Sequence, residues 1–177
     1  CFYAKFEADM QALIDTIERI TRLFGMIAAW LIVPLAGSMM WEVISRYVFS
    51  RPTIWAYEIA YMQMGALFVL GIALTTQAKA HVRVDLLYDI FSPRWKAVID
   101  LVGFLLLAVM ILWLCYGLWG YLEDGWISGE RSGESIWNPV VWPARLSFFV
   151  GFILFALQIL AEVLKSLRQL FHKEHEA

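Results

Sequence analysis

Four long stretches of the chain carry no charged residue. They are Leu23–Trp41, Ile59–Ala78, Leu101–Leu122 and Leu146–Ala161. A helix needs about 20 apolar residues to cross the hydrocarbon core of a bilayer, so the first three are long enough by themselves. The fourth spans if Arg145 and Glu162 extend outward from its ends. The pattern predicts four transmembrane helices, since a spanning segment must satisfy its backbone hydrogen bonds internally.

The boundaries of these helices follow from residues that favour helix ends. Thr53, after Pro52, is expected to cap the second helix, and Pro93 suits the first position of the third. Pro34 is expected to kink the first span or to mark a close helix contact. Residues 1–177 are predicted to form a single all-α membrane domain. Its predicted spans are 23–45, 54–78, 93–122 and 144–165, with a long connection at 123–143.

Residues 1–22 precede the first span and have a helical periodicity of their own. Apolar side chains between Tyr3 and Ile20 recur at intervals of three and four, with charged residues mostly between them. This pattern is typical of an amphipathic helix. We expect it to lie on the inner membrane surface, or against a partner, before the chain turns into the bilayer.

Lysine and arginine are distributed unevenly between the two sides of this arrangement. Ten lie before the first span, between the second and third, or after the fourth, and four lie in the other two connections. The positive-inside rule then places both termini on the cytoplasmic side of the membrane, and residues 123–143 on the outer side. Five tryptophans are expected at the outer headgroup level: Trp41, Trp55, Trp126, Trp137 and Trp142.

The motifs of several chemistries are missing from the sequence. The three histidines, His81, His172 and His175, lie outside the spans, where they could not ligate a haem inside a helical bundle. No CxxC, HExxH or phosphate-binding glycine loop occurs, and Cys115 is expected to be a buried apolar side chain. We therefore expect no enzymatic activity, cofactor, metal site or nucleic-acid partner.

A small autonomous exporter or channel-like protein is the alternative. Such proteins place an ionisable residue deep in the membrane. Here Glu42 and Glu58 fall at the outer helix ends, and Asp100 lies near the inner end of the third helix, one turn from Lys96. Paired broken helices and inverted repeats are missing as well. The sequence favours a membrane scaffold that needs a partner.

Two motifs carry a family resemblance. They are RYVFSRPTIWAYEIAY, which starts at Arg46, and LGIALTTQAKAHVRVDLL, which starts at Leu70. With four spans between inside termini, the sequence resembles the small membrane subunit (DctQ-like) of TRAP transporters, the tripartite ATP-independent periplasmic transporters. The tract from Gly129 to Arg145 is longer than the outer hairpin of the shortest members. The matching positions are Arg46, Tyr47, Phe49, Trp55, Glu58, Gly71, His81, Val84 and Asp85.

The resemblance implies a role inside a larger complex. A periplasmic substrate-binding protein (DctP-like) would deliver a small organic anion to a large membrane subunit (DctM-like). That large subunit would bind substrate and sodium and move as an elevator. The present chain would brace the large subunit's stationary scaffold and add surface for the binding protein, in contact with membrane lipid, and would bind neither substrate nor sodium itself.

Arg46 and Glu58 have two possible roles at the outer face. They either contact a partner protein or form a pair that links the first two helices, as an interfacial salt bridge can. Trp55, Trp137 and Trp142 are expected at the same face. The connection 123–143 would hold its tryptophans at the interface, either for partner docking or as a connector on the surface.

His81, Arg83 and Asp85 lie at the inner end of the second helix. A helix would place His81 and Asp85 one turn apart, within hydrogen-bonding reach, with Arg83 directed toward anionic lipid. A metal site or a proton relay needs more ligands than one histidine and one aspartate. We expect a structural collar here.

Overall fold

The computed structural model describes residues 2–78 and 93–173. Five helices form most of these two segments: α1 Phe2–Trp30, α2 Ile32–Tyr47, α3 Ala56–Gln77, α4 Pro93–Ile127 and α5 Trp142–Lys173. Within the described residues, four helical stretches are long and apolar enough to cross a membrane: Glu7–Tyr47, Ala56–Gln77, Leu101–Ile127 and Trp142–Arg168. The prediction of an all-α protein with four spanning helices is confirmed.

The first span is a nearly continuous rod made of α1 and α2. The helix is interrupted only at Leu31, three residues before Pro34. Proline has no N–H to donate to the carbonyl four residues earlier, and its ring crowds that carbonyl, which explains a break here. The expected turn between residues 22 and 23 is wrong, because α1 passes through that point as regular helix.

The apolar face of the amphipathic segment 1–22 packs against another helix of the same chain. Ile14 and Ile17 of α1 are buried against Ala161 of α5, in a small apolar cluster of their own. The apolar stripe is covered by the last helix of the same chain, so this segment is part of the helix bundle.

The centre of the bundle is α5, which packs against α4, α3 and α1, while α3 also contacts α1 and α2. Glycines allow close approach at two crossings. A Cβ added at Gly151 of α5 would lie 2.4 Å from Val69 Cγ1, and one added at Gly25 of α1 would lie 2.6 Å from Leu74 Cδ2. Cys115 is buried in this core, as the sequence predicted. The buried core residues are Ala28, Leu70, Ala73, Ile111, Cys115, Leu154, Phe155, Ile159 and Val163.

The other spanning helices leave large apolar surfaces that the rest of the described chain does not cover. Only 11% of the most apolar stretch of α4 is buried, against 44% for α5. Trp113 and Tyr116 of α4 are 77% and 81% exposed. Soluble proteins rarely expose apolar patches of this extent, so these faces contact lipid or another protein.

Several helix ends differ from the predicted span ends, and tertiary contacts explain two of these differences. Helix α3 begins at Ala56 after Trp55, and Thr53 does not cap it. Helix α4 runs to Ile127, five residues beyond the predicted end at Leu122. Both shifts have a physical cause, since Thr53 has another hydrogen-bond partner and the last turns of α4 are held by Arg145.

Candidate partner-binding surfaces

The connection between α2 and α3 is stabilised by hydrogen bonds to the Glu42 side chain. The Glu42 carboxylate accepts a hydrogen bond of 2.8 Å from the backbone N–H of Thr53 and a second one from the Thr53 hydroxyl. Its other oxygen accepts a hydrogen bond of 3.0 Å from Arg46 Nε. Ser50, at a φ of 52°, adopts the left-handed conformation that reverses the chain. This one carboxylate therefore fixes the end of α2 to the residues that lead into α3.

Of the two roles considered for Arg46 and Glu58, the pair that links the first two helices is wrong. Arg46 pairs with Glu42, one turn earlier on the same helix face, and its own side chain is 57% exposed. Glu58 is only 2% exposed, and neither carboxylate oxygen has a hydrogen-bond partner among the described residues. It lies in the first turn of α3, where the positive end of the helix dipole favours a carboxylate. Arg46 is available to a partner, whereas Glu58 is enclosed by its own chain.

The connection between α4 and α5 is a compact hairpin of residues 128–141. A single antiparallel bridge joins Arg131 to Val140, and the Val141 N–H donates to the Glu130 carbonyl at 3.1 Å. The side chain of Asn138 accepts a hydrogen bond of 2.9 Å from the Gly133 N–H. Three residues have positive φ, as tight reversals require: Gly129, Gly133 and Asn138. The predicted long connection is therefore an ordered hairpin.

Apolar side chains stand at the tip of this hairpin. Ile136 is 89% exposed and Trp137 is 39% exposed. The Ser135 hydroxyl accepts hydrogen bonds from the backbone N–H groups of Trp137 and Asn138, which fixes the tip backbone. Trp142 lies at the base of the hairpin, where its ring meets that of Trp126 edge-on at 4.7 Å between centroids. The hairpin thus presents a small, ordered apolar tip.

Arg145 anchors the hairpin, and the sequence did not predict this role. Its side chain is 8% exposed, and Nη2 lies 2.6 Å from Glu130 Oε2. Nη1 donates to the Tyr121 carbonyl at 2.8 Å, and the guanidinium carbon lies 3.7 Å from the centroid of the Tyr121 ring. A Cβ at Gly125 would come within 2.5 Å of Nη1. Arg145 therefore turns inward to join α5, α4 and the hairpin, so its expected outward extension is wrong.

A second polar group links α1 to α5 near the other end of the bundle. Lys165 Nζ lies 2.6 Å from Glu18 Oε1 and 2.6 Å from Glu162 Oε1. Gln158 Nε2 donates to the same Glu162 oxygen at 3.2 Å. Glu162 is buried, with its side chain 6% exposed, so the expectation that it extends outward is also wrong. A lysine shared by two carboxylates supplies the counter-charge that the burial of Glu162 requires.

The remaining predicted site residues do not form one cluster in the described part of the chain. Trp55 precedes the first residue of α3 and is partly buried. Trp137 and Trp142 lie at the tip and base of the hairpin, in the same end of the bundle as Arg46. His81, Arg83 and Asp85 lie outside the described residues. The two connections and their aromatic residues therefore lie at the same end of the bundle.

Most of this helical bundle matches a known protein family. A family model for "Tripartite ATP-independent periplasmic transporters, DctQ component" matches residues 35–169, which is more than half of the chain. That region includes α3, α4, the hairpin and most of α2 and α5.

One curated relative is a much longer protein. The chain is 24% identical over 103 residues to the sialic acid TRAP transporter permease protein SiaT of Haemophilus influenzae (strain 86-028NP). The matched part is 58% of the present chain and 17% of the relative. The chain therefore spans less than a fifth of the length of that permease.

Proposed function

The chain belongs to the family of DctQ components of tripartite ATP-independent periplasmic transporters, and we propose that it is the small membrane subunit of a sodium-coupled importer of a small organic acid. It is a multi-pass transporter component and not an enzyme. In this proposal it braces the stationary scaffold of a large membrane subunit and helps to dock a periplasmic substrate-binding protein. Both termini would face the cytoplasm across a bacterial inner membrane.

The observation that carries the bracing role is the exposed face of α4. This helix packs chiefly on α5 and leaves Trp113 and Tyr116 exposed on its outer surface. Exposed aromatic side chains of this kind are typical anchors of protein interfaces. The match to a short part of a permease supports the same view, since in that relative a segment like this one belongs to a much larger protein.

The polar contacts of the bundle suit a rigid frame better than a moving carrier. Glu42 closes the α2–α3 connection, Arg145 joins α4 to the hairpin, and Lys165 joins α1 to α5. Each contact cross-links two parts of the bundle. Substrate and sodium would therefore bind to the large subunit.

The hairpin is the proposed contact for the binding protein. Its tip exposes Ile136, and the carboxylates Glu130 and Glu134 lie on the same connection. A rigid apolar tip beside acidic groups would suit a partner surface with an apolar patch bordered by lysine or arginine.

Copurification tests the bracing role. A tagged chain, expressed with its large subunit and extracted in mild detergent, should retain that subunit. The variant Trp113→Ala/Tyr116→Ala should lose most of it, because both side chains lie on the exposed α4 face. Trp30→Ala is the matched control, since Trp30 is 73% exposed at the end of α1. Substrate uptake by liposomes that contain this chain alone would contradict the proposal and favour an autonomous transporter.

A further inference from the structure

A groove opens between the last turns of α4 and the first turns of α5, beside the base of the hairpin. Its volume is about 320 Å³. The walls are almost entirely apolar and carry three indole rings. They are formed by Trp119, Leu122, Trp126, Trp142 and Leu146, and Glu123 supplies the one charged side chain among the lining residues.

The groove is held in shape by ring contacts of its own walls and by Arg145, which lies outside its lining. Trp126 meets Trp142 across the α4–α5 crossing, and Trp119 packs on Phe149 at 5.4 Å between ring centroids. Arg145 fixes the same two helix ends from the neighbouring face through its bond to the Tyr121 carbonyl. Because both helix ends are cross-linked, the groove exists before any ligand binds.

The charge of the groove selects the kind of ligand. Glu123 is exposed at the rim and makes no ion pair or hydrogen bond to any of the described residues. The nearest cation along α5, Arg145, is buried and already paired with Glu130. A free carboxylate beside indole rings attracts an ammonium group and repels an anion.

The position of the groove relative to the bilayer favours a lipid over a soluble ligand. Helix α4 ends at Ile127 and α5 begins at Trp142, so the lining residues lie in the terminal turns of two spanning helices. Terminal turns of spanning helices meet the headgroup region of a bilayer, and the apolar wall continues toward its hydrocarbon core.

We propose that this groove binds a phospholipid whose headgroup ends in a primary ammonium, of the phosphatidylethanolamine type. The ammonium donates hydrogen bonds to the Glu123 carboxylate, and one acyl chain lies between Trp119 and Trp126. The phosphate stays in water, since the groove offers it no cation. This inference is independent of the role in a transporter, because it needs only a membrane interface at this end of the bundle.

Lipid retention measured by native mass spectrometry tests the proposal. The full chain is purified in mild detergent, with any membrane partner that copurifies, and is titrated with phosphatidylethanolamine and phosphatidylglycerol of the same acyl composition. The unmodified chain should retain more phosphatidylethanolamine, and Glu123→Gln should lower that retention by about threefold or more. The matched control Asp124→Asn removes the adjacent carboxylate, which does not line the groove, and should leave retention unchanged.

Charge reversal provides the second variant. Glu123→Lys should shift the preference to phosphatidylglycerol, which is a gain of binding that misfolding cannot produce. Equal retention of the two lipids by the unmodified chain would overturn the proposal. So would equal effects of Glu123→Gln and Asp124→Asn, or occupation of the groove by a partner's side chain in a cross-linking experiment.

Discussion

At the scale of single residues, Arg145 shows how a buried charge organises the end of the bundle where α4 meets α5. It satisfies a carboxylate, a backbone carbonyl and an aromatic face at once, and these three groups come from the hairpin and from α4. The cost of burying a guanidinium is offset only where such partners are supplied together. Loss of Arg145 should therefore affect the hairpin and both helix ends.

Arg145→Gln should destabilise the protein by about 1–3 kcal/mol, because it removes the buried contacts of the guanidinium. The loss is limited because Glu130 is half exposed and can be hydrated when its partner is removed. Thermal unfolding in detergent, followed by tryptophan fluorescence, measures the change. Arg131→Gln is the control: it removes an exposed guanidinium whose one side-chain hydrogen bond within the described residues is to the Asn138 carbonyl. Equal midpoints for Arg145→Gln and the unmodified chain would show that the buried contacts contribute nothing to stability.

Gly125→Ala tests the same contact from α4. The added methyl group would lie 2.5 Å from Arg145 Nη1, so the guanidinium must leave its place above Tyr121. We expect a lowered unfolding midpoint, even though alanine is favoured over glycine in helices by about 1 kcal/mol. Gly120→Ala on the same helix, with no atom within 4 Å of the new methyl group, should be neutral or stabilising. If the two variants behave alike, Arg145 is not packed against Gly125.

At the scale of the helices, hydrophobic patterning predicted the number and approximate place of the spans. Local signals were less reliable at helix ends, since they ignore partners distant in sequence. Thr53 has the residue type of an N-cap, yet Glu42, eleven residues earlier, takes its hydrogen bonds. Arg145 and Glu162 have the positions of residues that extend to the interface, yet each has partners inside the bundle. The sequence alone could not locate those partners.

The N-terminal amphipathic segment shows the same limit of prediction from local sequence. Its periodicity correctly indicated a helix with one apolar face, but periodicity does not say what covers that face. Ile14 and Ile17 pack on Ala161, which lies more than 140 residues later in the chain. A surface helix and a helix packed on a distant one have the same pattern in sequence.

Gly151→Ala should separate α5 from α3. The new methyl group would lie 2.4 Å from Val69 Cγ1 and 2.9 Å from the Val69 carbonyl carbon, and a backbone atom cannot move aside without shifting the helix. Overpacking at such a contact costs about 1–3 kcal/mol. Thermal unfolding should show the loss, and Gly117→Ala, whose methyl group meets nothing within 4 Å, serves as the control. An unchanged midpoint for Gly151→Ala would contradict the close crossing.

At the scale of the whole molecule, the bundle has a central helix and polar contacts at its two ends. The hydrophobic core holds α5 against α3 and α4, while Arg145 and Lys165 hold its beginning and its last third to other elements. In the proposed function, the exposed faces of α2 and α4 contact lipid and a partner. The proposed bracing function depends on this division between cross-linked ends and open sides.

The exposed tip of the hairpin leads to a prediction about transport. Ile136→Ser changes a side chain that is 89% exposed, so it should alter stability by no more than about 0.5 kcal/mol and leave assembly with the large subunit intact. If the tip docks the binding protein, uptake in reconstituted vesicles should fall several-fold, mainly at low concentrations of that protein, and should recover when more is added. Val48→Ser is the matched control, since Val48 is 70% exposed in the other connection at the same end of the bundle. Uptake that is equally reduced at every concentration of binding protein would place the defect in the transport step and exclude the tip as a docking contact.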